Sequence, residues 1–293
     1  MYYYLINDEN KYYFNDINCL NDIKNKYNVI LLSIDNNQLT KIPNLLQFYN
    51  LEELYCYNNQ LTQLPELPIN LKTLNCNYNY FTQLNNLPIN LKHLYCSKNN
   101  LIQLPQLPTN LRKLNCNNNH LTQLPQLPIN LEILDFNNNK ITQLPQFTNN
   151  LLELYCSYNK LTQLPELPIN LTHLYCINNK LTQLPELPIN LKYLYCEYNK
   201  LTQLPELPIN LIYLYCGNNK ITQLPELPIN LKYLYCRNNK LIHLPKNIKC
   251  KKLHNYKKFN KYNNFQQLNY LLNKTIIYYY YYNIIKYYDN IFL

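Results

Sequence analysis

The sequence predicts a repeat solenoid in which short parallel β-strands stack along one face and extended segments return along the other. Three observations predict this class. A twenty-residue block, LTQLPELPINLKYLYCEYNK at 181–200, recurs nearly unchanged, and each block holds both a short alternating stretch and a proline-rich stretch. A fixed period of this length is typical of one supersecondary unit stacked on copies of itself. Such an array offers an extended surface rather than a pocket.

The strand of each unit is predicted from its alternation. Within 191–196, Leu194 and Cys196 point to one side, whereas Tyr193 and Tyr195 point to the other. A period of two residues is the signature of a strand, and stacked turns would form one parallel sheet at about 4.8 Å per turn. Ten units share this frame, and with a slightly longer unit from Val29 they make eleven turns over 29–250. The ten units begin at Leu51, Leu71, Leu91, Leu111, Leu131, Leu151, Leu171, Leu191, Leu211 and Leu231.

One asparagine follows the strand at the same position in every turn. Because a buried amide both donates and accepts hydrogen bonds, stacked copies can satisfy the backbone groups that are freed where the chain turns. Asparagine also tolerates left-handed backbone, which lets a chain with one glycine turn so often. We therefore predict a structural asparagine ladder made of Asn59, Asn79, Asn99, Asn119, Asn139, Asn159, Asn179, Asn199, Asn219 and Asn239, with Asn37 in the first turn.

The proline-rich stretch excludes a helix on the return side. Pro205 and Pro208 both lack an N–H group, and each restricts the residue before it to extended geometry. We expect an extended or polyproline-like path there. Local changes of curvature are expected where single turns depart from the pattern, at Asn85–Asn86, Phe136 and Phe147–Thr148.

Most of the eleven cysteines are predicted to be core residues. Nine occupy one inward repeat position, where a thiol acts as a small hydrophobic group. Because the thiols form a regular column and the number of cysteines is odd, a disulfide framework is not expected. A zinc site is not expected either, because the sequence has no C-x-x-C pair and no nearby pair of histidines. Reduced thiols and the absence of a secretory signal pattern in 1–10 indicate an intracellular location, in the cytoplasm or a host cytoplasm. The nine are Cys56, Cys76, Cys96, Cys116, Cys156, Cys176, Cys196, Cys216 and Cys236.

The motif L-x-x-L-x-C-x-x-N-x-L-x-x-L-P-x-L-P over 29–250 resembles the leucine-rich repeat family. Its spacing and paired prolines are most similar to the short subtype in bacterial effectors such as the Yersinia outer protein M and the IpaH-type ubiquitin ligases. Similar Asn/Lys/Tyr-rich arrays occur in giant viruses that infect amoebae. The resemblance implies a curved horseshoe with the sheet on its concave face, which binds partners, mostly proteins. The resemblance would also allow a ligase domain after the repeats, but we do not expect one, because the segment 251–293 is too short for it.

The two flanks are predicted to be separate segments. Residues 1–28 are expected to cap the open end of the core, with a short helix suggested by Phe14, Ile17, Leu20 and Ile23. Residues 251–293 carry seven lysines and one acid, so this tail or C-terminal cap holds more than half of the chain's net charge of +10.

The predicted function is non-enzymatic binding of a protein partner, of which a host protein is one option. Tyrosine gives large contact area at low entropic cost, although a tyrosine ladder can equally serve to stabilise a sheet by stacking. The N-terminal half of the same face mixes basic and acidic side chains, which suits a protein better than a polyanion. The predicted contact residues are Tyr155, Tyr175, Tyr193, Tyr195, Tyr213, Tyr215, Tyr233 and Tyr235.

Two alternatives remain open at this stage. A row of lysines with the basic tail could bind nucleic acid or an anionic membrane surface, or recent duplication could have produced an array without a selected partner. The sequence predicts no catalytic residue, metal site or cofactor, since the five histidines do not cluster and no nucleophile or phosphate-binding motif is present. The lysines are Lys140, Lys160, Lys180, Lys200, Lys220 and Lys240.

Overall fold

A computed structural model describes residues 2–6, 10–243 and 252–254 of the chain. Apart from 252–254, the predicted tail at 251–293 lies outside the described residues, and so does Cys250. No helix within the described residues is both long and apolar enough to cross a membrane.

The strands form a single sheet of fourteen in the described part of the chain. From β3 to β14 every neighbouring pair is parallel and follows chain order. The predicted fold class, a repeat solenoid with a parallel sheet, is thereby confirmed. The bounds are β1 Tyr2–Ile6, β2 Asn10–Phe14, β3 Val29–Ser33, β4 Glu53–Tyr55, β5 Thr73–Asn75, β6 His93–Tyr95, β7 Lys113–Asn115, β8 Ile133–Asp135, β9 Glu153–Tyr155, β10 His173–Tyr175, β11 Tyr193–Tyr195, β12 Tyr213–Tyr215, β13 Tyr233–Tyr235 and β14 Lys252–His254.

Each repeat position pairs with the same position of the next turn. In β10 and β11, for example, Leu174 lies opposite Leu194 and Tyr175 opposite Tyr195. Identical side chains therefore form columns at right angles to the strands. The sheet extends one strand beyond the predicted end of the array at residue 250, because β14 continues the parallel pairing.

The N-terminal segment differs from the short helix suggested by its apolar spacing. Phe14 ends β2, and only 3₁₀ helices follow, at Ile17–Asp22 and Lys26–Asn28. Strand β1 pairs antiparallel with both β2 and β3. Aromatic and β-branched residues favour strands, and this hairpin supplies partners for the backbone groups of β3, which would otherwise form an open edge.

Inward leucines and cysteines form one continuous core. Leu174, Leu194 and Cys196 are fully buried, and Phe136 occupies the cysteine position of its turn with no exposure. All nine repeat cysteines are buried. Burial raises the pKa of the eight thiols from Cys56 to Cys216, that of Cys76 to about 12, so they remain protonated and unreactive at neutral pH.

The return side is extended, with a tight turn just before each strand. In a regular unit the N–H of Leu171 donates to the carbonyl of Pro168 at 3.0 Å. Where Thr148 replaces that proline, the equivalent bond from Leu151 is kept at 3.2 Å. The turn thus depends on backbone geometry that proline favours but does not uniquely supply.

The predicted asparagine positions form an inner ladder of amides, each of which joins two turns. The amide oxygen of Asn179 accepts from the N–H of Leu161 at 3.0 Å, and its nitrogen donates to the carbonyl of Cys156 at 2.9 Å, both in the preceding turn. The same nitrogen donates to the carbonyls of Cys176 and Ile177 in its own turn, at 3.3 Å each. Equivalent bonds recur in each turn from Asn59 to Asn239.

An outer ladder of asparagines lies on the opposite edge of the strands and is absent from the sequence-based prediction. From Asn70 onwards the side-chain nitrogen donates to a carbonyl of the preceding turn, as from Asn190 to Ile169 at 3.2 Å, whereas Asn50 donates to Tyr27 ahead of the first turn. The recurrence of asparagine at this position in ten consecutive units was the signal in the sequence that could have predicted the outer ladder. Its members are Asn50, Asn70, Asn90, Asn110, Asn130, Asn150, Asn170, Asn190, Asn210 and Asn230.

The residue before each inner-ladder asparagine adopts left-handed backbone. Asparagine fills this position in six of the ten regular turns, but Tyr78, Lys98, Tyr158 and Tyr198 occupy it in the others. A left-handed conformation is costly for residues with a bulky side chain and less so for asparagine. These four turns are therefore strained relative to their neighbours.

We expect Asn179→Ala to lower the free energy of unfolding by about 2–4 kcal/mol, because it leaves a buried N–H and several carbonyls without partners. The matched variant Asn190→Ala, which removes one bond at the exposed outer edge, should cost about 0.5–1.5 kcal/mol. Urea denaturation followed by circular dichroism measures both. Equal losses would contradict the distinct role given to the inner ladder.

We expect Tyr198→Asn to raise the free energy of unfolding by about 0.5–1 kcal/mol, because Tyr198 has a φ of 53° and asparagine tolerates this region better. The reverse change, Asn178→Tyr, should destabilise by a similar amount. Denaturant midpoints of the two variants provide the test, and an unchanged or lower midpoint for Tyr198→Asn would argue against strain at this turn.

Candidate functional site: the strand face

The strand face, formed by side chains that point away from the core, carries two aromatic ladders in its C-terminal half. The first ladder is Tyr155, Tyr175, Tyr195, Tyr215 and Tyr235, with ring centroids 4.4–5.6 Å apart. The second ladder is His173, Tyr193, Tyr213 and Tyr233, with centroids 4.3–5.0 Å apart. Parallel register puts one ring in each turn, and all eight predicted tyrosines belong to these ladders.

The tyrosine rings of the two ladders are less exposed to solvent than the alternating sequence pattern suggests. Tyr155 and Tyr195 are only 6% and 5% exposed, and the remaining rings of the first ladder are half-buried. The tyrosines of the second ladder are also half-buried. Stacking at the strand spacing covers the ring faces, so the ladders stabilise the sheet and present mainly ring edges and hydroxyl groups.

A carboxylate lies against the N-terminal end of the first ladder. The Tyr155 hydroxyl donates to Oε2 of Glu153 at 2.6 Å. Burial and the neighbouring Glu153 carboxylate raise the pKa of Tyr155, so this hydroxyl stays protonated. Tyr55 repeats the arrangement with Glu53 at 2.7 Å near the start of the array.

The single glycine of the chain, Gly217, makes room at the C-terminal end of the same ladder. A Cβ atom at this position would lie 2.5 Å from a ring carbon of Tyr235. The Arg237 guanidinium stacks on that ring, 4.7 Å from its centroid. Burial raises the pKa of Glu197 to about 7, although Arg237 partly opposes the shift. This group of side chains was not predicted from the sequence, in which the lone glycine at a variable repeat position was the one signal of it.

The N-terminal half of the strand face is mixed in charge. Lys72 Nζ lies 2.5 Å from Glu52 Oε1, and Arg112 lies 3.4 Å from Glu132. Both pairs are partly exposed, so each contributes little to stability. Burial and nearby cations, chiefly Lys113, lower the pKa of His93. This half of the face is therefore more polar than the C-terminal half, although it also carries Tyr55 and Tyr95.

A fully buried carboxyl group, Asp135, lies between the two halves. Its Oδ1 accepts from the N–H of Asn137 at 3.0 Å, and its Oδ2 accepts from Asn117 Nδ2 at 2.7 Å. Burial raises the pKa of Asp135 to about 6, and the two hydrogen bonds offset only part of that shift. Asn115 fills the equivalent position one turn earlier and makes the same short-range bond to Asn117 at 3.2 Å.

No cluster of three or more histidine, cysteine, aspartate or glutamate side chains that could hold a metal ion occurs among the described residues. All six residues of the lysine row are exposed on the edge next to the inner asparagine ladder. Whether that row binds polyanions stays a prediction.

We expect stability to depend on pH through Asp135, because its pKa of about 6 in the folded protein exceeds the unfolded value of about 4. The folded state then binds the extra proton, so its stability falls as pH rises between these values. Asp135→Asn should raise the free energy of unfolding by about 1–3 kcal/mol at pH 7.5 and much less at pH 4.

The reciprocal variant Asn115→Asp is the control, and it should lower stability at pH 7.5 but not at pH 4. Denaturation curves at the two pH values measure both effects. A gain for Asp135→Asn that is the same at both values would contradict the titration argument.

Comparison with known proteins agrees with this geometry. Models of leucine-rich repeats match residues 28–68, 130–151 and 189–229. YopM from Yersinia enterocolitica is 36% identical with a TM-score of 0.69; the alignment covers 75% of this chain and 53% of that protein, so the chain spans about half its length. YopM from Yersinia pestis is 29% identical over 82% of this chain and 91% of that one, with a TM-score of 0.49.

A more distant structure shares the fold. It is the octameric complex of Latrophilin 3, Unc5D and the leucine-rich repeat protein FLRT2, at 22% identity and a TM-score of 0.54, covering 71% of this chain and 84% of that chain. No curated protein matches the sequence significantly. The repeat models, the YopM similarity and the parallel ladder together identify the chain as a member of the leucine-rich repeat family.

Proposed function

We propose that the protein is a non-enzymatic scaffold whose strand face, expected to be concave, binds a protein partner through its C-terminal aromatic half. The observation that carries this proposal is the pair of adjacent aromatic ladders on one face. Leucine-rich repeat proteins are in general protein-binding scaffolds, and FLRT2 forms a complex with two other proteins. These relatives support a protein-binding role.

The chemistry of the ladders suits protein recognition. Stacked rings are held in place before a partner arrives, so little side-chain entropy is lost on binding. Their edges and hydroxyl groups offer both apolar contact and hydrogen bonds, which is typical of binding hot spots. The second ladder is the better contact surface, because Tyr193, Tyr213 and Tyr233 are all half-buried rather than covered.

The polar N-terminal half complements this surface. Its paired charges of both signs, such as Lys72 with Glu52, favour a partner that carries both signs over a uniformly charged polyanion. A host protein in the cytoplasm is the partner class that we propose, in line with the effector-like repeat type.

The combined variant Tyr193→Ala, Tyr213→Ala and Tyr233→Ala should abolish partner capture. It removes three partly accessible rings without opening the core, whereas changes at Tyr195 would also remove a 5%-exposed packing residue. The measurement is affinity purification of the full chain from host-cell lysate with quantitative mass spectrometry, alongside circular dichroism of each purified variant.

The matched control is Tyr49→Ala with Tyr80→Ala, because these tyrosines are 61% and 55% exposed and lie off the strand face. We expect the wild type and this control to capture the same proteins, and the second-ladder variant to lose them. Unchanged capture by the second-ladder variant would refute the placement of the binding surface.

A further inference from the structure

An exposed apolar row runs along the edge of the solenoid next to the outer asparagine ladder. We define the isoleucine row as Ile169, Ile189, Ile209 and Ile229, which are 62%, 52%, 56% and 76% exposed. They occupy one position in four consecutive turns, so neighbouring side chains lie about 4.8 Å apart. Scattered exposed aliphatic residues are ordinary, whereas a contiguous row of them marks an interaction surface.

The backbone beneath the isoleucine row is held rigidly. The side chains of Asn190, Asn210 and Asn230 donate to the carbonyls of Ile169, Ile189 and Ile209 at 3.2, 3.0 and 3.0 Å. Ile169, Ile189 and Ile209 are therefore each fixed to the next turn through their own carbonyls. A row that is pre-organised in this way loses little conformational entropy when it is covered.

Charges of opposite sign flank the row on its two sides. Three residues before each isoleucine the chain has an exposed glutamate, and three residues after Ile189 and Ile229 it has an exposed lysine. In the same turn, Glu186 thus precedes Ile189 and Lys192 follows it. The glutamates are Glu166, Glu186, Glu206 and Glu226, and the lysines are Lys192 and Lys232.

We propose that the isoleucine row is a homodimer interface, in which two copies lie side by side with their turns stacked in the same direction. A twofold axis parallel to the stacking direction places each row against its counterpart, turn for turn. It also brings Glu186 of one copy to Lys192 of the other, and Glu226 to Lys232. The antiparallel arrangement would set the glutamate columns against each other.

A second copy fits this surface better than an unrelated partner. It alone repeats the 20-residue period at every turn and sets glutamates opposite lysines in the turns of Ile189 and Ile229, so that each isoleucine faces its own counterpart. Four turns give a small interface, below the size typical of stable complexes, and the dimer is accordingly weak and concentration-dependent. The arrangement uses none of the ladder tyrosines. Lys192 and Lys232 share the repeat position of Lys72 on the strand face, so the dimer surface adjoins the proposed partner site.

Sedimentation velocity of the full chain across a range of concentrations tests the proposal. The wild type should show reversible monomer–dimer exchange, and Ile189→Ser with Ile209→Ser should weaken the dimer at least about tenfold, equivalent to about 1.4 kcal/mol. The matched control is Ile102→Ser with Ile242→Ser, whose side chains are 59% and 67% exposed but lie outside the row. This control should leave the dissociation constant unchanged.

A charge exchange separates this dimer from other self-association. Variant one carries Glu186→Lys and Glu226→Lys, and variant two carries Lys192→Glu and Lys232→Glu. Each alone should be monomeric, whereas an equimolar mixture should dimerise. A strictly monomeric wild type, a dimer insensitive to the isoleucine changes, or failure of the mixture to associate would each overturn the proposal. Thermal unfolding of every variant checks that the fold is retained.

Discussion

The structure depends on one interaction, the bridge that each inner-ladder amide makes between two turns. A single asparagine satisfies an N–H and a carbonyl of the preceding turn and further carbonyls of its own, as Asn179 does. Without it, the chain could not leave the strand and turn inside a dry core, because buried backbone groups must be paired. Because this bridge holds neighbouring turns in register, it also sets the spacing of every side-chain column, including both aromatic ladders.

The repeat made much of the fold predictable. Leu194 and Cys196 alternate with tyrosines, and the period of twenty residues aligns them with Leu174 and Cys176, so inward side chains, parallel pairing and the absence of helix on the return side all follow from local rules. The N-terminal segment was not predictable in the same way. Phe14 and Leu20 fit a helical spacing, yet Phe14 lies in β2. The reason is that β1, which pairs with the edge of β3, offers backbone partners to β2, and such long-range pairing cannot be inferred from periodicity.

The strand face was predictable in composition but not in exposure. Alternation places Tyr155 and Tyr195 on the face opposite the leucines, but it cannot tell how far a ring leans onto the ring of the next turn, and both are almost covered. Likewise, Arg237 stacks on the ring of Tyr235, and that ring lies where a side chain at Gly217 would be. These three residues occupy different repeat positions or turns. Such contacts depend on rotamers and on the space left by a neighbouring turn. The hydrogen bonds of Asn190 and its equivalents could have been predicted from the sequence, because a polar residue that recurs in every regular turn indicates a structural role.

The inner-ladder bridges are expected to hold the turns together as one cooperative unit. Native-state hydrogen exchange of the Leu161, Leu181 and Leu201 amides tests it most directly, because each N–H donates to an asparagine side chain of the next turn. These amides should exchange only through global unfolding, with the free energy that denaturation gives for the whole array. Exchange at the rates of exposed amides would show that the bridges open independently, and the account would be contradicted.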